Sequence, residues 1–230
     1  MSVISRFFRG SAGSGSPPFD PGTTASSVRR SNGLGELTRR LRDEQGLRVL
    51  DLGSTSPQNI TYFTSLGFRM HNEDVLLASR DPSLLAPGED GKVAADSERF
   101  IAENLSYPEE FFDAVLCWDS CDYLPEELVK PMVHRLFRIM KPQGLLLGFF
   151  HTRDAGPDAP YHRYHIMQHE MIAFQRISAP TSRQEATGRW PHFRLQRVFN
   201  NRHIENLFHD FSSIKFFLGR DNMREVLVVR

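Results

Sequence analysis

Arg48-Val-Leu-Asp-Leu-Gly-Ser-Thr-Ser-Pro57 carries the pattern from which the rest of the fold follows. A short apolar strand over Arg48–Leu52 stops at Gly53. Ser56 then supplies a helix N-cap, and Pro57 a first helical residue, where a missing N–H is of no consequence. The helix over Gln58 to Ser65 closes at Leu66-Gly67, glycine being the usual stop. A glycine turn between strand and helix lets a ligand approach the backbone, with helix amides pointing at it. Phe68-Arg-Met-His-Asn72 resumes as a second strand and meets the acidic pair Glu73-Asp74.

The alternation continues downstream. A loose stretch through Pro82, Pro87, Gly88 and Gly91 contains the least defined strand, and a helix follows over Ala95 to Ile101. Phe112-Asp-Ala-Val-Leu-Cys-Trp118 is a buried strand ending at Asp119. Glu126 to Met140 places Leu128, Met132, Val133, Leu136, Ile139 and Met140 at helical spacing, with basic residues opposite. Lys141-Pro-Gln-Gly144 breaks that helix, and Leu145 to Phe150 forms the next strand. A helix over Ile204–Phe208 precedes strands over Phe211–Leu218 and Glu225–Val229, joined through an Asp221-Asn222 turn. Strand–helix alternation ending in a hairpin predicts a mostly parallel sheet with helices on both faces and an antiparallel edge.

Bulk properties narrow the function. In 230 residues, 28 Lys+Arg balance 28 Asp+Glu, which leaves no electrostatic footprint for nucleic acid or an anionic membrane. Small-molecule chemistry fits that balance better. No apolar run approaches the roughly 20 residues of a membrane span. Cys117 and Cys121, the two cysteines, are too few for a disulfide framework and too few for a zinc site, so they read as reduced thiols packed in a cytoplasmic protein. The region from Gly10 to about Asn32 is rich in Gly, Ser, Pro and Thr and cannot bury enough surface to order itself. Residues 1–32 are thus expected as a disordered tail, with one domain over 33–230. The Ser- and Arg-bearing start, with no acid before Asp20, leaves a transit peptide as an alternative to a plain solvated tail.

Three segments resemble class I S-adenosylmethionine-dependent methyltransferases. Asp51-Leu-Gly-Ser-Thr-Ser-Pro57 stands where the family has an Asp-x-Gly-x-Gly-x-Gly run. Phe112-Asp-Ala-Val-Leu is similar to its fourth strand, and Arg138-Ile-Met-Lys-Pro-Gln-Gly-Leu-Leu-Leu-Gly148 to its helix end and fifth strand. The resemblance implies a Rossmann-like fold with a seven-stranded, mostly parallel sheet, and S-adenosylmethionine as cofactor. It also implies a cofactor site made by Asp51, Gly53, Ser54, Glu73, Asn104, Leu105 and Asp119. Glu73 lies 20 residues past Gly53, at the end of the second strand, where an acid holds a ribose diol; the alternative is that Glu73 and Asp74 cap a loop. Thr55 and Pro57 replace the family's second and third glycines, and the branched Cβ of Thr55 resists positive φ. Asp119-Ser-Cys-Asp-Tyr123 also departs from the Asn/Asp-Pro-Pro-Tyr run of the branch that methylates nucleic-acid bases.

Methyl transfer from a sulfonium needs positioning and, for many acceptors, removal of a proton. Asp119 and His151 end the fourth and fifth strands, where ligands of open sheets bind, and are the candidate catalytic residues. Residues 154–201 interrupt the step from the fifth strand to the last helix and form an inserted cap or substrate segment. Within it His162, His165 and His169 sit at helical spacing, which suits either a metal or a solvated face; no metal site is expected. Arg189-Trp-Pro-His-Phe-Arg194 offers base stacking or plain packing over the sheet. The expected function is methylation of a small molecule. The rival is a non-catalytic methyltransferase-like module that has lost the cofactor and binds a protein partner. A nicotinamide-dependent oxidoreductase meets the same missing glycines.

Overall fold

The computed structural model describes residues 27–87, 93–153, 161–168, 170–177, 194–219 and 222–230. The elements run β1 (Ser27–Arg30), α1 (Asn32–Leu41), β2 (Arg48–Asp51), α2 (Pro57–Ser65), β3 (Arg69–Asn72) and α3 (Val75–Ala78). After a single 3-10 turn at Pro82–Leu84 come β4 (Leu85–Pro87), β5 (Val93–Ala95), α4 (Ser97–Asn104), β6 (Phe112–Trp118), α5 (Ser120–Tyr123) and α6 (Glu126–Ile139). The chain continues through β7 (Met140–His151), β8 (His162–Gln168), β9 (Met171–Arg176), α7 (Asn201–Leu207), β10 (Ser213–Leu218) and β11 (Met223–Val229).

The central sheet has the order β10-β11-β7-β6-β2-β3. The β3–β2, β2–β6 and β6–β7 pairs are parallel, and β11 lies antiparallel to both β7 and β10. The predicted Rossmann-like α/β fold with its C-terminal hairpin is therefore present. Among the described residues the sheet has six strands, not the seven expected. The segment from which the missing strand was to come folds instead as a separate hairpin of β4 and β5, each three residues long. Its sequence, broken by Pro82, Pro87 and Gly88, has too few apolar residues for a strand buried on both faces.

Local signals account for the elements that flank the site. Ser31 and Ser56 cap α1 and α2 by accepting from Leu34 N and Asn59 N. Gly67, at φ +80°, lets the chain turn back after α2, with Gly67 N bonded to Thr64 O and Phe68 N to Phe63 O. The sheet buries both faces. Leu50, Val115, Leu146 and Val226 pack with Phe100, Leu136 and Ile204 of α4, α6 and α7. Val49, Leu116, Leu147 and Leu227 pack with Leu34, Leu37 and Phe63 of α1 and α2.

Two regions depart from the sequence expectation. Ser27–Arg30, assigned to the tail, is a strand that pairs with β9; residues 1–26 lie outside the described chain. The inserted segment contains the β8–β9 hairpin, which joins β1 in a second, three-stranded antiparallel sheet. His162 and His165 therefore sit on a strand rather than on one helix face, and His169 is outside the described residues, as is most of the 189–194 stretch. Among the described residues no cluster of His, Cys, Asp or Glu could hold a metal.

Candidate active site

The carboxyl ends of β2, β3, β6 and β7 bring most of the expected residues to one edge of the sheet. Asp51 ends β2 and is 2% exposed. Its Oδ1 accepts from Gly53 N (3.1 Å) and Trp118 Nε1 (2.6 Å), and its Oδ2 accepts from Asn59 Nδ2 (2.9 Å). Burial pushes this carboxyl up to about 6 despite those three donors. Asn72 Nδ2 donates to Asp51 O and Gly53 O, both at 2.9 Å, and Thr55 Oγ1 bonds Asn72 Oδ1. Thr55 and Pro57 are exposed at the surface, and the atoms nearest a Cβ built on Gly53 belong to Trp118 and Asp51.

Ser54 Oγ donates to Asp74 Oδ2 at 2.8 Å, and Asp74 Oδ1 caps α3 through Leu77 N. Glu73 is half-buried. Its amide bonds Asp51 O, and its Oε1 accepts from Tyr107 Oη at 2.5 Å. Desolvation raises the Glu73 pKa, and the tyrosine hydroxyl opposes the rise. Asn104 ends α4 with its amide donating back to Phe100 O at 2.9 Å, and Leu105 is buried in the core. The structure shows no hydrogen bond from Asn104 to Glu73 or to the 51–57 turn among the described residues. Tyr107, three residues on, is the one that reaches Glu73.

Asp119 is fully buried. Its Oδ2 accepts from Tyr164 Oη at 2.8 Å, while its Oδ1 has no hydrogen-bond partner among the described residues; the same is true of Ser120 Oγ and Asp122 Oδ1. Burial pushes the Asp119 carboxyl up to about 7, with the nearby His151 charge pulling the other way. Asp122 Oδ2 accepts from both the amide and Nδ1 of His151, each at 2.7 Å. Asp122 too is raised by burial and lowered by His151. Tyr123 lies edge-on to His151 (5.8 Å between centroids) and to Tyr161 (5.3 Å).

The small sheet covers this edge. Tyr164 of β8 stacks on Trp118 with centroids 4.9 Å apart and planes 8° apart. Asn59 Nδ2 donates to Tyr164 O (3.1 Å), and Asn59 Oδ1 accepts from Ile166 N (2.8 Å). Ser56 Oγ, which accepts from Asn59 N, is hydrogen-bonded to His165 Nδ1 at 2.8 Å, and His165 Nε2 faces Gln175 Oε1 at 3.4 Å. Desolvation lowers the His165 pKa, in keeping with a neutral ring.

Sequence reasoning missed Trp118, Tyr164, Asn59, Asp122 and Tyr107. Two left a trace: Trp118 alternates with Ala114 and Leu116, so it shares their face of the sheet, and Asp122 follows Asp119 at one-turn spacing.

An open, mostly parallel sheet with a C-terminal hairpin and acids at the ends of its strands defines a class I methyltransferase-like domain. Residues 28–212 match the family described as a methyltransferase domain, and the chain belongs to that family. It is 31% identical over 133 residues to 2-methyl-6-phytyl-1,4-hydroquinone methyltransferase 1, chloroplastic, of Oryza sativa subsp. japonica, a match covering 51% of this chain and 38% of that protein. Among solved structures it is similar to the 1,6-didemethyltoxoflavin-N1-methyltransferase of Burkholderia thailandensis (12% identity, TM-score 0.45, 86% of this chain and 76% of that one). It is also similar to a SAM-dependent methyltransferase of Archaeoglobus fulgidus (12% identity, TM-score 0.43, 86% and 93%).

S-adenosylmethionine is the cofactor of this family. The donor set suits it in kind: the Glu73 carboxylate can accept from a diol, and Asp51 behind the glycine turn can accept from an ammonium group. Trp118 lies against Gly53 and bonds Asp51 Oδ1.

Proposed function

We propose that this chain is an S-adenosylmethionine-dependent methyltransferase acting on a small-molecule acceptor. The observation that carries the proposal is the Asp122–His151 pair, set beside buried Asp119 at the ends of β6 and β7. Asp122 fixes the imidazole through Nδ1, so that Nε2 is the nitrogen able to take a proton from an acceptor. Asp119 adds a carboxyl raised to about 7, able to accept or hold a proton near neutrality. The cofactor supplies the methyl group; Asp51, Gly53, Ser54 and Glu73 are the residues that would hold it. Asn104 and Leu105, assigned to that site by resemblance, would lie at its adenine end.

In this proposal the domain runs from Ser27 rather than Gly33, and the 154–201 segment is the cap that selects the acceptor. Among the described residues no helix is long and apolar enough to cross a membrane. The balanced charge favours neither nucleic acid nor membrane as a partner. Cys117 and Cys121, free and buried with sulfurs 3.9 Å apart, support a reducing compartment, the cytoplasm.

The rival, a non-catalytic module with a protein partner, is favoured by one observation, the indole of Trp118 lying on Gly53. Calorimetric titration with S-adenosylmethionine and S-adenosylhomocysteine decides between them. The proposal expects binding that Glu73→Ala weakens by about tenfold or more, equivalent to about 1.4 kcal/mol. No heat and no thermal shift at millimolar ligand overturns it.

A further inference from the structure

Trp118 is held in an unusual way. Its backbone is at φ +48°, the left-handed region that a bulky L-residue avoids unless its surroundings enforce it. The side chain is 2% exposed and rests directly on Gly53: a Cβ added to that glycine would lie 2.8 Å from the indole Cδ1 and 3.2 Å from Nε1. The indole N–H is bonded to Asp51 Oδ1 at 2.6 Å. Tyr164 covers one face of the ring, and Phe149 lies edge-on at 5.4 Å. Tyr164 in turn donates its hydroxyl to Asp119. One aromatic pair thus spans from the glycine turn, on the cofactor side, to the buried carboxylate on the acceptor side.

A glycine just past the end of β2 is useful because a ligand can come against its bare backbone. Here that contact is made by the protein's own indole, which also engages the acid behind the turn.

We propose that Trp118 is the residue that controls admission of the cofactor, its indole standing over Gly53 where the amino-acid end of S-adenosylmethionine must go. Binding exchanges the Trp118 N–H on Asp51 for the ligand's ammonium, and it separates Trp118 from Tyr164. The proposal rests on the cofactor reading above. Its consequence is that part of the intrinsic affinity is spent on displacing the indole, so the apparent dissociation constant is raised by the scarcity of the open form.

The chain has two tryptophans, so Trp190→Phe leaves Trp118 as the sole indole reporter. Titrating that variant with S-adenosylhomocysteine should change Trp118 emission as the ring leaves its stack. Calorimetry with the same probe should show Trp118→Ala binding at least about tenfold more tightly than wild type. Trp118→Phe, which keeps the packing and loses only the N–H to Asp51, should fall between the two. It serves as the test if the alanine variant does not fold, which circular dichroism reports. Binding with unchanged Trp118 emission and no gain in either variant overturns the gate and leaves the cofactor reading intact. Absence of binding in wild type and in folded Trp118 variants overturns both.

Discussion

Asn59→Ala removes one buried side chain that joins three parts of the site. The Asn59 amide donates to Asp51 Oδ2 and Tyr164 O, and its oxygen accepts from Ile166 N. β8 is the outer strand of the small sheet, so Asn59 does for its free edge what a neighbouring strand would do. Truncation leaves a backbone carbonyl, a backbone amide and a carboxylate oxygen short of a partner. A buried polar group left unpaired costs about 1–3 kcal/mol; with water admitted into the gap, a total of about 3–5 kcal/mol follows. Urea denaturation should register this as a drop in midpoint of roughly 1–2 M for an m-value of about 2–3 kcal/mol/M. Amide exchange of Ile166 should accelerate well beyond that of the central strands. A loss below about 1 kcal/mol, with Ile166 still protected, would refute the idea that Asn59 carries the cap.

Three further outcomes are expected. Asp119 is raised to about 7, so between about pH 4 and 7 the folded carboxyl keeps a proton that the unfolded chain releases, and wild type loses stability as pH rises through that window. Asp119→Asn should gain relative to wild type over the same window, by at most about 4 kcal/mol, and a flat difference in melting free energy across it would contradict the assignment. Gly53→Ala should cost about 1–3 kcal/mol through its clash with Trp118, and the penalty should vanish in a Trp118→Ala background; an additive double-mutant cycle would count against the contact. Glu225→Gln should cost about 2–3 kcal/mol, since it removes the charge paired with part-buried Arg29 and weakens the bonds from Ser31 Oγ and Gly33 N; chemical denaturation showing less than about 1 kcal/mol would refute this.

Elements with a strong local signal were legible in the sequence. β2, the turn and α2 follow from a strand stop, an N-cap and a helical proline, and α6 follows from its apolar stripe. What escaped depends on distant partners. Ser27–Arg30 has no apolar alternation, and it becomes a strand through backbone pairing with β9 and the Arg29–Glu225 ion pair. In β8 the histidine spacing suggested a helix, while the signal that governs is Tyr164 and Ile166 alternating inward. Asp119 and His151 were expected from the rule that ligands gather at strand ends, Gly53 and Glu73 from the glycine turn and the acid 20 residues past it, and Asp51 and Ser54 from the family resemblance. Asn59 and Tyr107 act through side chains whose direction only the assembled tertiary structure sets, and Trp118, whose face strand alternation gives, meets partners that only that structure brings to it.

The Glu225 carboxylate receives its three donors from residues 192, 194 and 196 positions earlier in the chain. During synthesis, α1 therefore leaves the ribosome long before the anion that secures its amino end has been translated. β1 likewise waits for β9, and β7 for β11. Contacts of such long range make a chain slow to fold and expose apolar strands in the interval. Truncation upstream of position 225 should release the first helix as well as the last strand, so that damage late in the chain is felt at its beginning.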